Sequence, residues 1–252
     1  MATLMSGGAL GDDLAPVEAT QDALFGGSVV LFQPPRGAGY RTNVDALLLA
    51  GFATGPKGAP LAFDLGAGVG AVGLALLRLG AAKRVVFVEI DEQPAAMARR
   101  NLDANGWTER GEVVRGDVRD VARSRRGEAT LVVCNPPYVA PGRGRVPLAQ
   151  ARARSGELST FVEAARQLAG RKARVCFVYP AQELGTLLST LSAEGLHAKR
   201  TRFVHATPEA PARIVLVEAQ AGKAGGLNVM PPLVERGRAG YTPEMQTLLA
   251  RG

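Results

Sequence analysis

The run Asp64-Leu65-Gly66-Ala67-Gly68-Val69-Gly70 ends one apolar segment and starts another with a different period. Residues 61–65 read as a strand and 69–79 as a helix, so the glycines mark a tight strand-to-helix turn. Glycine accepts positive φ and leaves the backbone bare, which lets such a turn approach a ligand closely. The alternation then continues. Strands are predicted over 84–88, 112–115, 130–134 and 174–179, and helices over 92–104, 158–168 and 182–193. Repeated βα units dictate a parallel sheet covered by helices on both faces, with ligands bound beyond the carboxyl ends of its strands.

Two later strands, 198–205 and 213–219, read as a hairpin-like pair with at least one antiparallel member. The expected fold is therefore a Rossmann-like, doubly wound α/β sheet, mostly parallel, with an antiparallel C-terminal strand. That edge fits the seven-stranded methyltransferase variant better than the dinucleotide-binding one. Residues 1–27, rich in Gly, Ala and Asp, read as a flexible leader. The domain proper spans 28–220, opening with a strand at 29–33 and a helix at 44–53 that Thr42 or Asn43 can cap. Residues 221–252 read as a tail docked on the core, with a short helix at 243–251.

Composition narrows the partners. The chain has 252 residues, 46% of them hydrophobic, enough for one substantial core. No apolar stretch reaches the roughly 18–20 residues of a membrane span, and the acidic start of the chain does not resemble a secretory signal. Cys134 and Cys176 lie in apolar runs and read as buried thiols of a cytoplasmic protein, without disulfide or metal. A net charge of +7, most of its 30 cations arginine, favours a polyanionic partner through counterion release.

The acids near the glycine turn bear on the ligand. Gly68, Gly70 and Gly73 also satisfy G-x-G-x-x-G, so a dinucleotide stays open. A carboxylate beside a pyrophosphate is unfavourable, however, and Asp64 stands two residues before the first glycine. It suits the cationic amino-acid end of S-adenosyl-L-methionine better. Glu89 ends the next strand, placed for ribose hydroxyls in either case. Asp117 can accept from an adenine amino group, with Ile90 or Val118 against the ring; its bland alternative is a turn former.

Asn135-Pro136-Pro137-Tyr138 follows the strand Leu131-Val132-Val133-Cys134. Two prolines fix an extended exit. The Asn135 amide and the Pro136 carbonyl can then accept both hydrogens of one planar NH2 group, with the Tyr138 ring stacked on its parent ring. With Asp64 to Gly70, Glu89 and Asp117 upstream, this order resembles the class I methyltransferases acting on exocyclic or amide nitrogens, whose hallmark is (Asn/Asp/Ser)-Pro-Pro-(Tyr/Phe). The resemblance spans roughly residues 29–219. It implies catalysis by Asn135, Pro136, Pro137 and Tyr138, and S-adenosyl-L-methionine held by Asp64, Gly66, Gly68, Gly70, Glu89, Ile90, Asp117, Val118 and Asn135.

Gly39-Tyr40-Arg41-Thr42-Asn43-Val44-Asp45 and the tail elements Pro231-Pro232-Leu233-Val234 and Gly240-Tyr241-Thr242-Pro243-Glu244 are similar to the bacterial valine-tRNA adenine-N6 methyltransferase family. That likeness implies adenine N6 of structured RNA, tRNA above all, as the acceptor, and adds Thr42 as a cofactor contact. Arg143, Arg145, Arg152 and Arg154, in a loop beyond the tetrapeptide, can grip phosphates around a flipped-out base; a solvated basic loop is the alternative. An Arg-His-Glu element common in that family is replaced here by Ala153-Arg154-Ser155-Gly156-Glu157. Protein-glutamine N5 methylation of release factors, and a non-catalytic RNA-binding protein with a vestigial cofactor site, remain competing readings.

Overall fold

The computed structural model describes residues 19–37, 41–136 and 148–250, the side chains of 148–156 excepted. Its first element lies inside the expected loose leader. Strand β1 (Thr20–Leu24) pairs antiparallel with β2 (Val29–Gln33), which alternates buried and half-buried residues. Helix α1 (Val44–Ala53) follows. Asn43 caps it by accepting from the Asp45 amide at 2.9 Å, and eight of its ten residues are buried. A helix apolar on nearly all sides belongs inside, and α1 packs between the sheet and other helices.

The predicted alternation then unfolds: β3 (Ala59–Leu65), α2 (Ala71–Arg78), β4 (Ala82–Glu89), α3 (Glu92–Ala104), β5 (Gly111–Arg115), α4 (Val118–Ser124), β6 (Ala129–Cys134), α5 (Leu148–Leu168), β7 (Ala169–Pro180), α6 (Leu184–Ala193), β8 (Leu196–His205) and β9 (Ala212–Ala221). Two of these depart from the sequence reading. Helix α4 was not expected, because seven residues rich in Arg and Asp show no apolar period. Helix α5 begins ten residues early, so Arg152 and Arg154 sit on a helix and not in a loop.

Spatially the sheet runs β5-β4-β3-β6-β7-β9-β8. Strands β3 to β7 are mutually parallel, while β9 is antiparallel to both β7 and β8. Strand order reverses between β3 and β6, and that crevice is where α/β sheets bind ligands. The sheet has nine strands and not seven. The extra two, β10 (Asn228–Val229) and β11 (Leu233–Val234), pair parallel with the outer strand β8. They come from a glycine-rich segment in which two-residue strands leave no readable period. A small hairpin, β12 (Arg236–Gly237) and β13 (Gly240–Tyr241), and helix α7 (Pro243–Ala250) complete the tail.

Strand pleating sorts the core into two layers. In β3, Ala62 faces α1, α2 and α7 while Phe63 faces α4, α5 and α6; Val133 and Val132 divide the same way in β6. Close approach of α2 to the sheet depends on Gly73, because a Cβ there would overlap the fully buried Phe87 ring. Gly73→Ala should therefore lower stability by about 1–3 kcal/mol, the usual cost of overpacking. Chemical denaturation checks this; an unshifted midpoint would show that Phe87 moves aside freely.

Candidate active site

The glycine turn sits at the carboxyl ends of β3 and β4. Gly66, Gly68 and Gly70 have φ values of 66°, 55° and 87°, a region only glycine occupies without strain. Their surroundings differ. A Cβ on Gly66 would press on Phe161, and one on Gly70 on Phe87, whereas one on Gly68 would meet nothing within 4 Å. Gly68 thus faces free space, and its amide donates to the Glu89 carboxylate at 2.7 Å. The other Glu89 oxygen takes the Asp91 amide at 3.0 Å. Each oxygen accepts only one such bond, so both retain acceptor capacity, although Glu89 itself is buried.

Asp64 turns inward. Its carboxylate is 1% exposed and accepts the Gly73 amide at 2.8 Å, tying the end of β3 to the first turn of α2. Burial raises its pKa to about 7, the Gly73 hydrogen bond opposes the rise, and the charge of Glu89 adds to it. Ile90, 60% exposed, stands at the end of β4 as an apolar side chain in water. Asp117 caps α4 by accepting from the Arg119 amide at 2.8 Å. The Arg119 guanidinium also holds both Asp117 oxygens, and its hydrogen bonds bring that carboxyl down to about 2. An adenine amino group at Asp117 must therefore share or displace Arg119. Val118 is buried beside it. The backbone amide of Thr42 donates to Gln33 Oε1 at 3.0 Å, which fixes the approach to α1.

Asn135 leaves the end of β6, and β6 pairs with β3 through Leu65 and Cys134. The residue is half-buried, and its Oδ1 is buried without a hydrogen-bond partner among the described residues. An amide oxygen left unpaired away from water costs about 1–3 kcal/mol. Such an acceptor at a crevice is an opening for a ligand donor. Pro136 is buried behind it. Pro137, Tyr138, Arg143 and Arg145 lie outside the described residues; Arg152 and Arg154 fall on α5, and only their backbone is described.

Sequence reasoning missed the residues that brace this site. Asn101 is fully buried; its Oδ1 accepts from Phe32 N, and its Nδ2 donates to Phe32 O and to Val69 O, both at 2.9 Å. One amide thereby joins β2, α3 and the glycine turn. Asn105 does the same for Val30, with bonds of 2.9 and 2.8 Å. The signal was present: two asparagines one turn apart on the apolar face of α3 need partners. A second brace is ionic. Arg213, on β9, reaches Asp45 of α1 at 2.6 Å and also binds Glu235 of the tail.

The family described as "Methyltransferase small domain" matches residues 44–157, which span the glycine turn, Glu89, Asp117 and Asn135. A tRNA1(Val) (adenine(37)-N6)-methyltransferase from Cronobacter sakazakii is 31% identical over 182 residues, 70% of this chain and 74% of that protein. The chain belongs to the tRNA1(Val) (adenine(37)-N6)-methyltransferase family. A relative of the same name from Shewanella halifaxensis is 27% identical over 184 residues, 71% of this chain and 74% of its own length. Among solved structures, a predicted O-methyltransferase from Agrobacterium tumefaciens has a TM-score of 0.66 at 24% identity, covering 82% of this chain and 95% of that one, a likeness of fold.

Among the described residues, no group of three or more His, Cys, Asp or Glu side chains has metal-binding proximity, and no helix is long and apolar enough to cross a membrane. Cys134 and Cys176 are free and buried. Burial pushes the Cys176 thiol up to about 12 and Cys134 well above its ordinary value, so neither is a ready nucleophile.

Proposed function

We propose that this chain transfers the methyl group of S-adenosyl-L-methionine to the exocyclic N6 of an adenine in structured RNA, with tRNA, the substrate in its relatives' names, as the first choice. The observation that carries the reading is the buried Oδ1 of Asn135, without a hydrogen-bond partner among the described residues, at the switch point of the sheet.

The residues present fit the cofactor. Gly68 leaves a cradle that a Cβ would fill, Glu89 offers acceptor capacity for ribose hydroxyls, and Asp64 places a carboxyl under the turn for a cationic ligand. Ile90 supplies an apolar surface for an adenine ring, while Asp117 and Val118 border the same edge. When bound, the cofactor supplies an electrophilic methyl group on a sulfonium.

The protein's part is orientation. An exocyclic amine is a poor nucleophile because its lone pair is delocalised into the ring. Asn135 Oδ1 and the Pro136 carbonyl accept its two hydrogens, which favours a pyramidal nitrogen and frees the lone pair. No strong base is required, since the proton departs to solvent once nitrogen has become cationic. Acceleration then comes from positioning and from fixed dipoles aimed at developing charge. Tyr138 stacks on the target base, worth about 1–3 kcal/mol.

Incubation of unmodified tRNA with the protein and methyl-labelled cofactor tests this, with nucleoside mass spectrometry as the readout. Label in N6-methyladenosine is the expected result. Label in a release-factor glutamine, with none in RNA, would overturn the acceptor and establish the protein substrate instead.

A further inference from the structure

We propose that the β12–β13 hairpin is a second contact surface for the RNA, where an unpaired base stacks on Tyr241 and Arg236 while Arg238 meets phosphate. The inference rests on the RNA reading above and names a part of the chain that would recognise the substrate away from the reacting nitrogen.

Strand registers put the hairpin at the catalytic end of the sheet. Cys134 pairs with Phe177, Phe177 with Val217, Val217 with Thr201, and Thr201 with Val229. Asn135 is therefore level with the middle of the outer edge. Strand β11 pairs with Val204 and His205, further toward the carboxyl ends, and the parallel pairing continues as Glu235 N donates to His205 O and Arg236 N to Ala206 O. The hairpin thus rises beyond the sheet on the side onto which Asn135 opens. Four strand spacings separate β6 from β11, about 19 Å at the usual interval. A folded RNA held at Asn135 spans that distance.

The anchoring of the hairpin does not use the three side chains in question. Glu235 is held by Arg213, which is itself fixed to buried Asp45. Thr242 donates through its hydroxyl to Val234 O at 2.7 Å and through its amide to Glu235 O at 3.0 Å. Gln246 donates to the Tyr241 carbonyl at 3.0 Å. Nearby, Arg202 is spent on both oxygens of Glu244. Arg236 and Arg238, by contrast, are exposed and form no ion pair among the described residues. The Arg236 guanidinium lies 4.5 Å over the Tyr241 ring and donates to its hydroxyl.

Tyr241 is 39% exposed, a large aromatic in an otherwise polar tip. An arginine plane and an aromatic ring presented together to solvent, with cationic charge left uncompensated, suit a single-stranded nucleic acid segment. Bases stack on such planes without sequence preference, and free guanidinium groups release counterions from phosphate.

The test compares wild type with Arg236→Ala/Arg238→Ala and with Tyr241→Ala, using steady-state methylation of an unmodified tRNA transcript at several salt concentrations. The double variant should raise KM for tRNA about tenfold and flatten the dependence of log KM on log salt by about 0.7, the value for the one phosphate contact of Arg238. Tyr241→Ala should raise KM with no change of salt slope. In all variants kcat, cofactor affinity and the unfolding transition should stay at wild-type values. Methylation by the variants with unaltered KM overturns the hairpin while leaving the RNA reading intact. Wild-type protein that leaves tRNA unmethylated removes that reading, and this inference with it.

Discussion

Alanine at position 135 should lower kcat for methyl transfer by roughly 10²- to 10³-fold, the loss typical when one preorganised partner of developing charge is removed. Cofactor affinity should stay within a few fold, because Glu89 and the glycine turn do not depend on this amide. Stability should move the other way. Asn135 Oδ1 is buried without a hydrogen-bond partner among the described residues, so its removal spares the free protein an unmet acceptor. A variant that is inactive yet at least as stable as wild type is thus the expected pair of results from single-turnover kinetics and thermal unfolding. Activity near wild type would exclude Asn135 from the mechanism.

The second large effect is a pH dependence centred on Asp64. Its carboxyl has a pKa of about 7 in the folded chain against an ordinary value of 3.8. Because the folded value is the higher one, folding favours the protonated form. The stability it contributes is full below 3.8 and declines as pH rises through about 7. By pH 8 the loss is on the order of 4 kcal/mol, about three pKa units at 1.36 kcal/mol each. Asp64→Asn stays neutral. The difference in unfolding free energy between variant and wild type should therefore shift in the variant's favour between pH 5 and 8. Binding of S-adenosyl-L-methionine should show the complementary trend, strengthening with pH in wild type as the carboxylate forms against a cationic ligand, and staying weak and flat in the variant. Calorimetry measures both; a stability difference constant across that pH range would mean Asp64 does not titrate there.

Much of this arrangement was legible because it rests on local rules. Asp64 to Gly70 announces itself through a change of period and glycines where only positive φ serves, and Glu89 is found simply as the last residue of the following strand. The mostly parallel sheet and its antiparallel β9 follow from alternation and a terminal strand pair, whereas the spatial order of the strands was not read from the sequence. What escaped depends on distant partners or on elements too short to show a pattern. Strands β10 and β11 are two residues each and exist because β8 offers an edge. Helix α4 is held by its Asp117 cap and three buried residues. That Asp117 would be clasped by Arg119 is a matter of side-chain reach, which spacing alone leaves open. Asn101 was passed over for the opposite reason. It lies in plain sight on α3, but the groups it serves, Phe32 and Val69, are 69 and 32 residues away in the chain.

The two asparagines of α3 also settle the fate of an exposed margin. The β1–β2 ribbon is separate from the main sheet, so β2 has one side facing β1 and another with no strand beside it among the described residues. On that other side the amide and carbonyl of Val30 meet Asn105, and those of Phe32 meet Asn101. Side-chain amides spaced one helical turn apart thus imitate the missing strand, bond for bond. A two-stranded ribbon is an open template for pairing with other chains unless its rim is covered. Here the rim is closed by a helix, and the same closure pins the ribbon to the turn on which ligand binding depends. Self-association and loss of cofactor affinity should accordingly appear together whenever that seam is opened.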